Sequence, residues 1–385
     1  MDDQRPGTGG GMNGNVPAAH RTLPHLTGVD VVLHPDLLAP DVLAFLARAE
    51  ERCPEFGFGW FSNLAATVYP GSDLLRFYVL RRQGVVLAVL PLRAERAGLG
   101  WTLHALGNFY TTLFEPLFAP ECEVNDLAPL VAAMQADLRG LGALRLAPMD
   151  RTAPSFRLIV DAIRAAGWKP FEFFCFGNWY QPVGGSWTDY LAKRNGTLRS
   201  TIKRMSKKFG ADGGMLEIVT DSVNVARAID AYNVVYASSW KQPEPYPEFM
   251  PGLARMCAAQ GYLRLGLAWL NGAPIAAQLW IVSHGRAEIY KVAYDERFKA
   301  YAPGTLLTAL LMEHVIEVDR VSEVDYLIGD DPYKKTWMSH RRERWGVIAY
   351  NPRSLVGMAG WAREALGRYV KSLKTRLARV APPAS

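Results

Sequence analysis

Residues 329–337 read Gly-Asp-Asp-Pro-Tyr-Lys-Lys-Thr-Trp and crowd several chemically useful side chains into one turn of a 385-residue chain. Asp330 and Asp331 are carboxylates that can hold or deprotonate an amine, Tyr333 is a phenol and Lys334 an ammonium. Such groups move protons and stabilise developing negative charge in acyl transfer. The same residues also read as plain structure. Asp-Asp-Pro is turn chemistry in which carboxylates accept from local amides, and a tyrosine beside a lysine is ordinary amphipathic surface. A carboxylate metal site from Asp325, Asp330 and Asp331 is disfavoured by the spacing and by the lack of a nearby histidine. The seven histidines are scattered, and His314 reads as a packing or capping residue. H-E-x-x-H, G-x-x-x-x-G-K-[ST] and G-x-S-x-G are absent from the sequence.

A second candidate lies upstream. Leu306, Leu307, Leu310, Leu311 and Val315 form an apolar stripe at helical spacing, with Pro303 and Gly304 at the helix start and Thr305 as a cap or first-turn residue. First-turn amides lack internal partners and carry the positive end of the helix dipole, so this loop predicts an anion site, with Lys299 adding charge. An ordinary strand–loop–helix connection has the same outline.

The surroundings of these segments narrow the protein class. A composition 49% hydrophobic and 21% charged is globular, and the length suggests two or three domains. The longest apolar run, residues 85–90, stops at Pro91, far short of a membrane span. The start has no apolar signal region, and Cys53, Cys122, Cys175 and Cys257 form no C-x-x-C pair. Together these features predict a soluble protein of a reducing cytoplasm. The net charge of +6 is uneven. Residues 189–208 hold seven basic side chains and one acid, residues 361–380 hold six and one, and the remaining body is slightly acidic. Basic helical stretches of this kind attract phosphate ligands, RNA or an anionic membrane, or else form solvated faces.

The elements that must position these groups alternate along the chain. Residues 1–25 read as disordered, and their G-x-G-x-x-G at Gly9, Gly11 and Gly14 lacks the βαβ context of a dinucleotide site. Hairpins are expected at Gln83-Gly84 and Asn271-Gly272, each followed by a strand, a helix and a further strand. The later set comprises strands over 286–294 and 323–328 around a helix over 305–318. The two halves repeat one order at an offset of roughly 185 residues, which predicts two α/β domains in tandem.

The basic helix 198–209, the hairpin 270–278, Tyr294-Asp295 with 301–304, and 325–337 together resemble the GNAT acyltransferase superfamily, in its CelD-like and FemAB-like branch. The resemblance covers roughly 187–350, while the first half is similar only in element order. It implies two tandem GNAT-like domains, each a mixed, mostly antiparallel sheet flanked by helices, with the first copy degenerate. The expected boundaries are 26–178 and 179–355, followed by a basic helix and tail over 356–385. It further implies that Tyr290, Lys291 and Val292 offer strand backbone to an acyl-CoA pantetheine arm. Lys299, Tyr301, Ala302, Gly304 and Thr305 would take the pyrophosphate. The family's Q/R-x-x-G-x-G/A pattern falls on Lys299, Ala302 and Gly304, with lysine and alanine as departures. FemAB-like relatives that use aminoacyl-tRNA also diverge at this loop. Tyr333 is placed like the family's general acid and Lys334 like its lysine after the last core strand, with Asp330 and Asp331 beside them. Arg199, Arg204, Trp240 and Trp337 would contact substrate. Tyr236 stands where the family often has a histidine before the tryptophan.

The resulting expectation is an N-acyltransferase that moves an acetyl or other acyl group from acyl-CoA to a small-molecule, sugar or peptide amine, in cell-envelope or exopolysaccharide metabolism and without a metal. Two alternatives stand beside it. One is aminoacyl transfer from charged tRNA, and the other a non-catalytic partner of a membrane polysaccharide-synthesis complex. The basic helices would meet tRNA or an anionic membrane surface, not DNA, placing the protein in the cytoplasm or at the periphery of the inner membrane.

Overall fold

The computed structural model describes residues 27–380, and side chains as far as Ser372. Residues 1–25, with their glycine pattern, lie outside the described residues. Turn chemistry places both hairpins where expected. Gln83-Gly84 and Asn271-Gly272 all adopt positive φ, which matches the twist of the strands they join. The strands are β1 Thr27–Val32, β2 Leu75–Arg82, β3 Val85–Ala97, β4 Gly100–Ala105, β5 Leu117–Phe118, β6 Leu141–Met149 and β7 Lys169–Pro182. They continue as β8 Gly214–Val219, β9 Leu263–Leu270, β10 Ala273–Ser283, β11 Arg286–Tyr294, β12 Glu323–Asp325 and β13 His340–Tyr350.

The tandem expectation is altered in one respect: the halves share a single sheet. Its order is β1-β2-β3-β4-β6-β13-β7-β12-β11-β10-β9-β8, with β5 on β3. Each half has one parallel pair, β4 with β6 and β11 with β12, joined through a helix. The last strands are exchanged. β7, from the first half, lies beside β12, and β13, from the second, lies beside β6. β7 and β13 pair along Tyr180–Lys169 against His340–Tyr350 and so join the halves. The expected boundary at 178/179 falls inside continuous β7.

Helices cover both faces. The helix Pro303–Glu317 buries Leu306, Leu307, Leu311 and Val315 in a core with Trp280 and Ile289. A larger core runs from the first half to the helices Val225–Ala237 and Phe249–Ala259 of the second. It encloses two carboxylates. Glu55 accepts from the amides of Thr112 (3.0 Å) and Leu113 (2.7 Å), yet burial and the charge of Glu288 push it up to about 8. Burial pushes Glu288 up to about 7, against the pull of Arg286.

A raised carboxyl pKa means that the folded state binds a proton that the unfolded state has released. Its stabilising effect is therefore full below about 4.5 and is lost as pH rises through about 7. Glu288→Gln is expected to flatten the fall in stability between these limits, with a gain on the order of 3 kcal/mol at pH 8. Thermal unfolding across that range checks this.

Candidate active site

β11 and β12 pair only at Arg286–Glu323, Ala287–Val324 and Glu288–Asp325. Beyond that point they part. On its other side β11 carries a bulge: Leu279 faces Lys291 and Trp280 faces Ile289, so Tyr290 is the extra residue. The bulge turns Tyr290 and Lys291 towards the same loop of the first half. Tyr290 Oη donates to the Tyr110 carbonyl (2.6 Å), and Lys291 Nζ lies 4.7 Å from the Tyr110 ring. Opposite, Asp325 Oδ1 accepts from the Leu327 amide (2.6 Å) and Leu327 adopts a φ of 54°, which swings residues 326–329 away from β11.

Two adjoining cavities fill the gap. One, of about 210 Å³, is lined by Tyr110, Lys241, Tyr290, Lys291, Asp331 and Lys334. The other, of about 360 Å³, is lined by Trp240, Tyr294, Gly304, Thr305 and Trp337. Val292, Tyr326 and Tyr333 border both. The second cavity meets the start of the helix Pro303–Glu317, which the buried Gln278 pins to β10. Its Nε2 donates to the Gly304 carbonyl (2.9 Å) and to Thr308 Oγ1 (2.8 Å).

Lys334 is buried beneath the gap. Its ammonium donates to the carbonyls of Tyr326 (3.2 Å), Ile328 and Gly329 (3.4 Å), and lies 3.4 Å from Asp331 Oδ2. Burial lowers its pKa, against the pull of Asp331. Above it the Tyr333 ring meets Tyr326 edge-on at 5.6 Å. Burial, with the charge of Asp331, pushes the Tyr333 phenol up to about 12, so it is protonated at neutral pH.

Two parallel core strands thus part around a cleft, with a bulge beside the gap. Residues 196–335 match the acetyltransferase (GNAT) domain family. This segment is similar to GNAT domains. The crystal structure of FemX aligns with a TM-score of 0.53 at 11% identity, over 72% of this chain and 87% of that one. A conserved protein of unknown function from Bacteroides thetaiotaomicron aligns with a TM-score of 0.51 at 11% identity, over 80% and 95%. These likenesses give the chain a FemAB-like fold. No curated protein matches it in sequence.

The site residues expected from sequence fall into two groups. Tyr290, Lys291, Val292, Asp331, Tyr333 and Lys334 converge on the first cavity, and Trp240, Gly304, Thr305 and Trp337 on the second. Asp330 is elsewhere. It accepts from Arg341 (2.8 Å to each oxygen) and from Trp179 Nε1 (2.8 Å), and the Arg341 hydrogen bonds hold its carboxyl down at about 2. Tyr301 donates to Asp212 (2.8 Å), and Lys299 is exposed beyond the cavity lining. Arg199 and Arg204 lie on the exposed face of the helix Gly196–Ala211 and line neither cavity, although Leu198 on its inner face lines the second.

Two expectations need correction. The amides thought to be free at the helix start are mostly used. Ala302 N–H donates to Lys299 (2.9 Å), those of Thr305 (2.9 Å) and Leu306 (3.1 Å) to Ala302, and Pro303 has none. The left-handed conformation of Ala302, with φ 49° and ψ 47°, turns its carbonyl into the helix and closes this bonding. Only Gly304 N–H in that turn has no backbone partner among the described residues. Arg194 is likewise no part of a basic surface. It is buried, donating to the Trp337 carbonyl (2.9 Å) and Ser339 Oγ (2.9 Å).

Sequence reasoning missed Tyr110, Lys241 and Glu244. Tyr110 reaches the cavity from the first half, which no local pattern reveals. Lys241 and Glu244 lie in a connection containing Pro243 and Pro245, and charged residues held in a stiff loop were the available signal. Glu244 accepts from Lys291 (2.9 Å) and from Tyr110. Burial acts to raise its pKa, but those hydrogen bonds lower it on balance. Lys241 Nζ has no hydrogen-bond partner among the described residues and sits 5.8 Å from the Trp240 ring. Burial, with the charges of Lys291 and Lys334, pulls it down to about 8 from 10.5.

An ammonium with a lowered pKa costs stability wherever it is charged in both states, which is below about 8. Lys241→Met is therefore expected to stabilise the protein by about 1–2 kcal/mol at pH 7, the ammonium being only half desolvated. The gain should shrink as pH rises from about 8 and vanish above 10.5. Unfolding curves at pH 7 and pH 10.5 test the sign and the window.

Proposed function

We propose that this chain is an N-acyltransferase whose reaction takes place where β11 and β12 part. The observation carrying this reading is the cleft itself: unpaired strand backbone on one wall, and a phenol, a low-pKa amine and a carboxylate around the other. An activated acyl donor lies along residues 289–292 with its carbonyl near the bulge. The acceptor amine enters past Asp331, whose carboxylate is exposed at the mouth of the first cavity. The amine nitrogen attacks the acyl carbon, the tetrahedral oxyanion collapses, and the bond to the leaving group breaks. Neutral Lys241 accepts the amine proton, and Tyr333 gives its proton to the leaving thiolate or alkoxide. Lys334 is a positioning residue. It ties down the carbonyls that would otherwise close the gap.

The donor read first is acyl-CoA, with its pyrophosphate at the Gly304 amide, which has no backbone partner among the described residues. A second reading, aminoacyl-tRNA, is favoured by the occupied amides around Ala302. It is favoured also by Arg199, Lys203, Arg204 and Lys207, which are exposed on the helix Gly196–Ala211. RNA contacts through such a helix are strongly salt-dependent.

Acetyl-CoA binding by calorimetry and tRNA binding at two salt concentrations separate the donors. A Cβ at Gly304 meets only the Tyr294 ring, at 3.5 Å, an ordinary contact, so Gly304→Glu brings a charge to the cavity without a backbone clash. With acyl-CoA as donor, Gly304→Glu weakens acetyl-CoA binding at least about tenfold, whereas Arg199→Glu with Arg204→Glu changes it little. The reverse pattern, with tRNA bound and the effect in the arginine pair, selects the second donor. Tyr333→Phe is expected to lower kcat about a hundredfold at unchanged KM with either donor. Unchanged turnover in that variant overturns the role given to the phenol.

A further inference from the structure

The helix Leu355–Val380 leaves β13 and lies against the sheet through its first turns. Its inner face there is mostly small, with Val356 against Gly100 and Gly142. Gly357 packs so closely on the Asn351 and Gly142 carbonyls that a Cβ would sit 2.2 Å from the first, and Gly360 packs on the Tyr350 ring. Arg368 is turned inward, donating to the Glu172 carbonyl (2.9 Å) and lying 4.8 Å from the Phe171 ring, with Glu364 bonded to it. The outer face is apolar. Leu355 is 86% exposed, Leu366 and Tyr369 are 63% exposed, and Met358, Trp361 and Val370 are exposed beside them. At about 100° per residue, Leu355, Met358, Leu366, Tyr369 and Val370 fall on one continuous stripe, and Trp361 lies about 60° outside it, beside Arg368. A surface helix that leaves a stripe of leucine, methionine, tyrosine and valine exposed has a face built to be covered.

The charge of the segment decides what covers it. Between residues 361 and 380 the chain carries six basic residues against Glu364. Apposing two copies of this helix would bring two strongly positive segments together, whereas an anionic surface attracts one. Trp361 and Tyr369 have the amphipathic rings that settle at a lipid headgroup boundary. Among the described residues no helix is long and apolar enough to cross a membrane. We infer that the outward face of the helix Leu355–Val380 docks the protein on an anionic phospholipid bilayer, lying in the interface with the basic residues over the headgroups. Apolar burial and attraction to anionic lipid act together in such binding.

The test uses the full chain and sedimentation with vesicles of phosphatidylcholine alone or of phosphatidylcholine mixed with phosphatidylglycerol. Binding is expected only to the mixed vesicles, weakened by salt. It should fall at least tenfold in a Leu366→Glu, Tyr369→Ser double variant whose circular dichroism and melting temperature match the parent. Leu355→Glu, at the start of the stripe, provides a second variant should the first fail to fold. Absence of binding to the mixed vesicles, equal binding to both vesicle types, or unchanged binding in the folded variant would each overturn the inference. So would a concentration-dependent dimer, abolished by the same variant and indifferent to vesicles, because a second copy would then be the cover.

Discussion

A strand that leaves its neighbour inside a protein exposes backbone groups that must find other partners. In this chain that problem arises after Glu288 and Asp325, where β11 and β12 part, and the architecture of the candidate site follows from how it is solved. On the β12 side, one buried ammonium, that of Lys334, takes the carbonyls of Tyr326, Ile328 and Gly329. On the β11 side, the bulge at Tyr290 turns two successive side chains towards the first half. The β12 side of the gap thus keeps its carbonyls partnered, while the β11 edge beyond Glu288 faces the cavity with no strand beside it. The charge buried to achieve this is compensated by three carbonyls and a carboxylate, and it is the kind of charge whose removal leaves costly unpaired acceptors.

The exchange of β7 and β13 gives the open cleft a rigid frame. Each half ends in the other's territory, so the halves cannot separate without breaking the central pairing of the sheet. One consequence is chemical. The loop holding Tyr110 is carried by the first half, yet Tyr110 lines the first cavity and bonds Glu244, which in turn holds Lys291. The first half therefore shapes the electrostatics of a site that belongs to the second.

Much of the scaffold was legible, and the lapses have physical causes. The two hairpins and β11 were read from turn dipeptides and β-rich runs, which depend on neighbours in sequence. β13 was missed because it begins His-Arg-Arg-Glu-Arg, a surface pattern. Its arginines are usable in mid-sheet because Arg342 pairs with Glu323 and Asp325, and Arg344 with Asp150, all distant in sequence. β12 was read as running to residue 328 because 326–328 are apolar. Their apolar character instead serves the cavity wall and core, and the strand ends at Asp325. The phosphate loop was read from residue types alone, and the left-handed turn at Ala302 changed which of its amides are free.

Residue order alone was enough for the alternation of elements, the repeated order of the halves, and the chemical types gathered at 329–337, since each rests on local periodicity and side-chain identity. The fold decided which of those groups face one another. Asp330 and Asp331 are adjacent in sequence, yet one is spent on Arg341 and the other opens to the cavity. Lys241, inconspicuous in the sequence, is partly desolvated there, with no hydrogen-bond partner among the described residues and the charges of Lys291 and Lys334 acting on it. Desolvation and the proximity of distant charges are properties of packing in three dimensions, and a linear pattern carries neither.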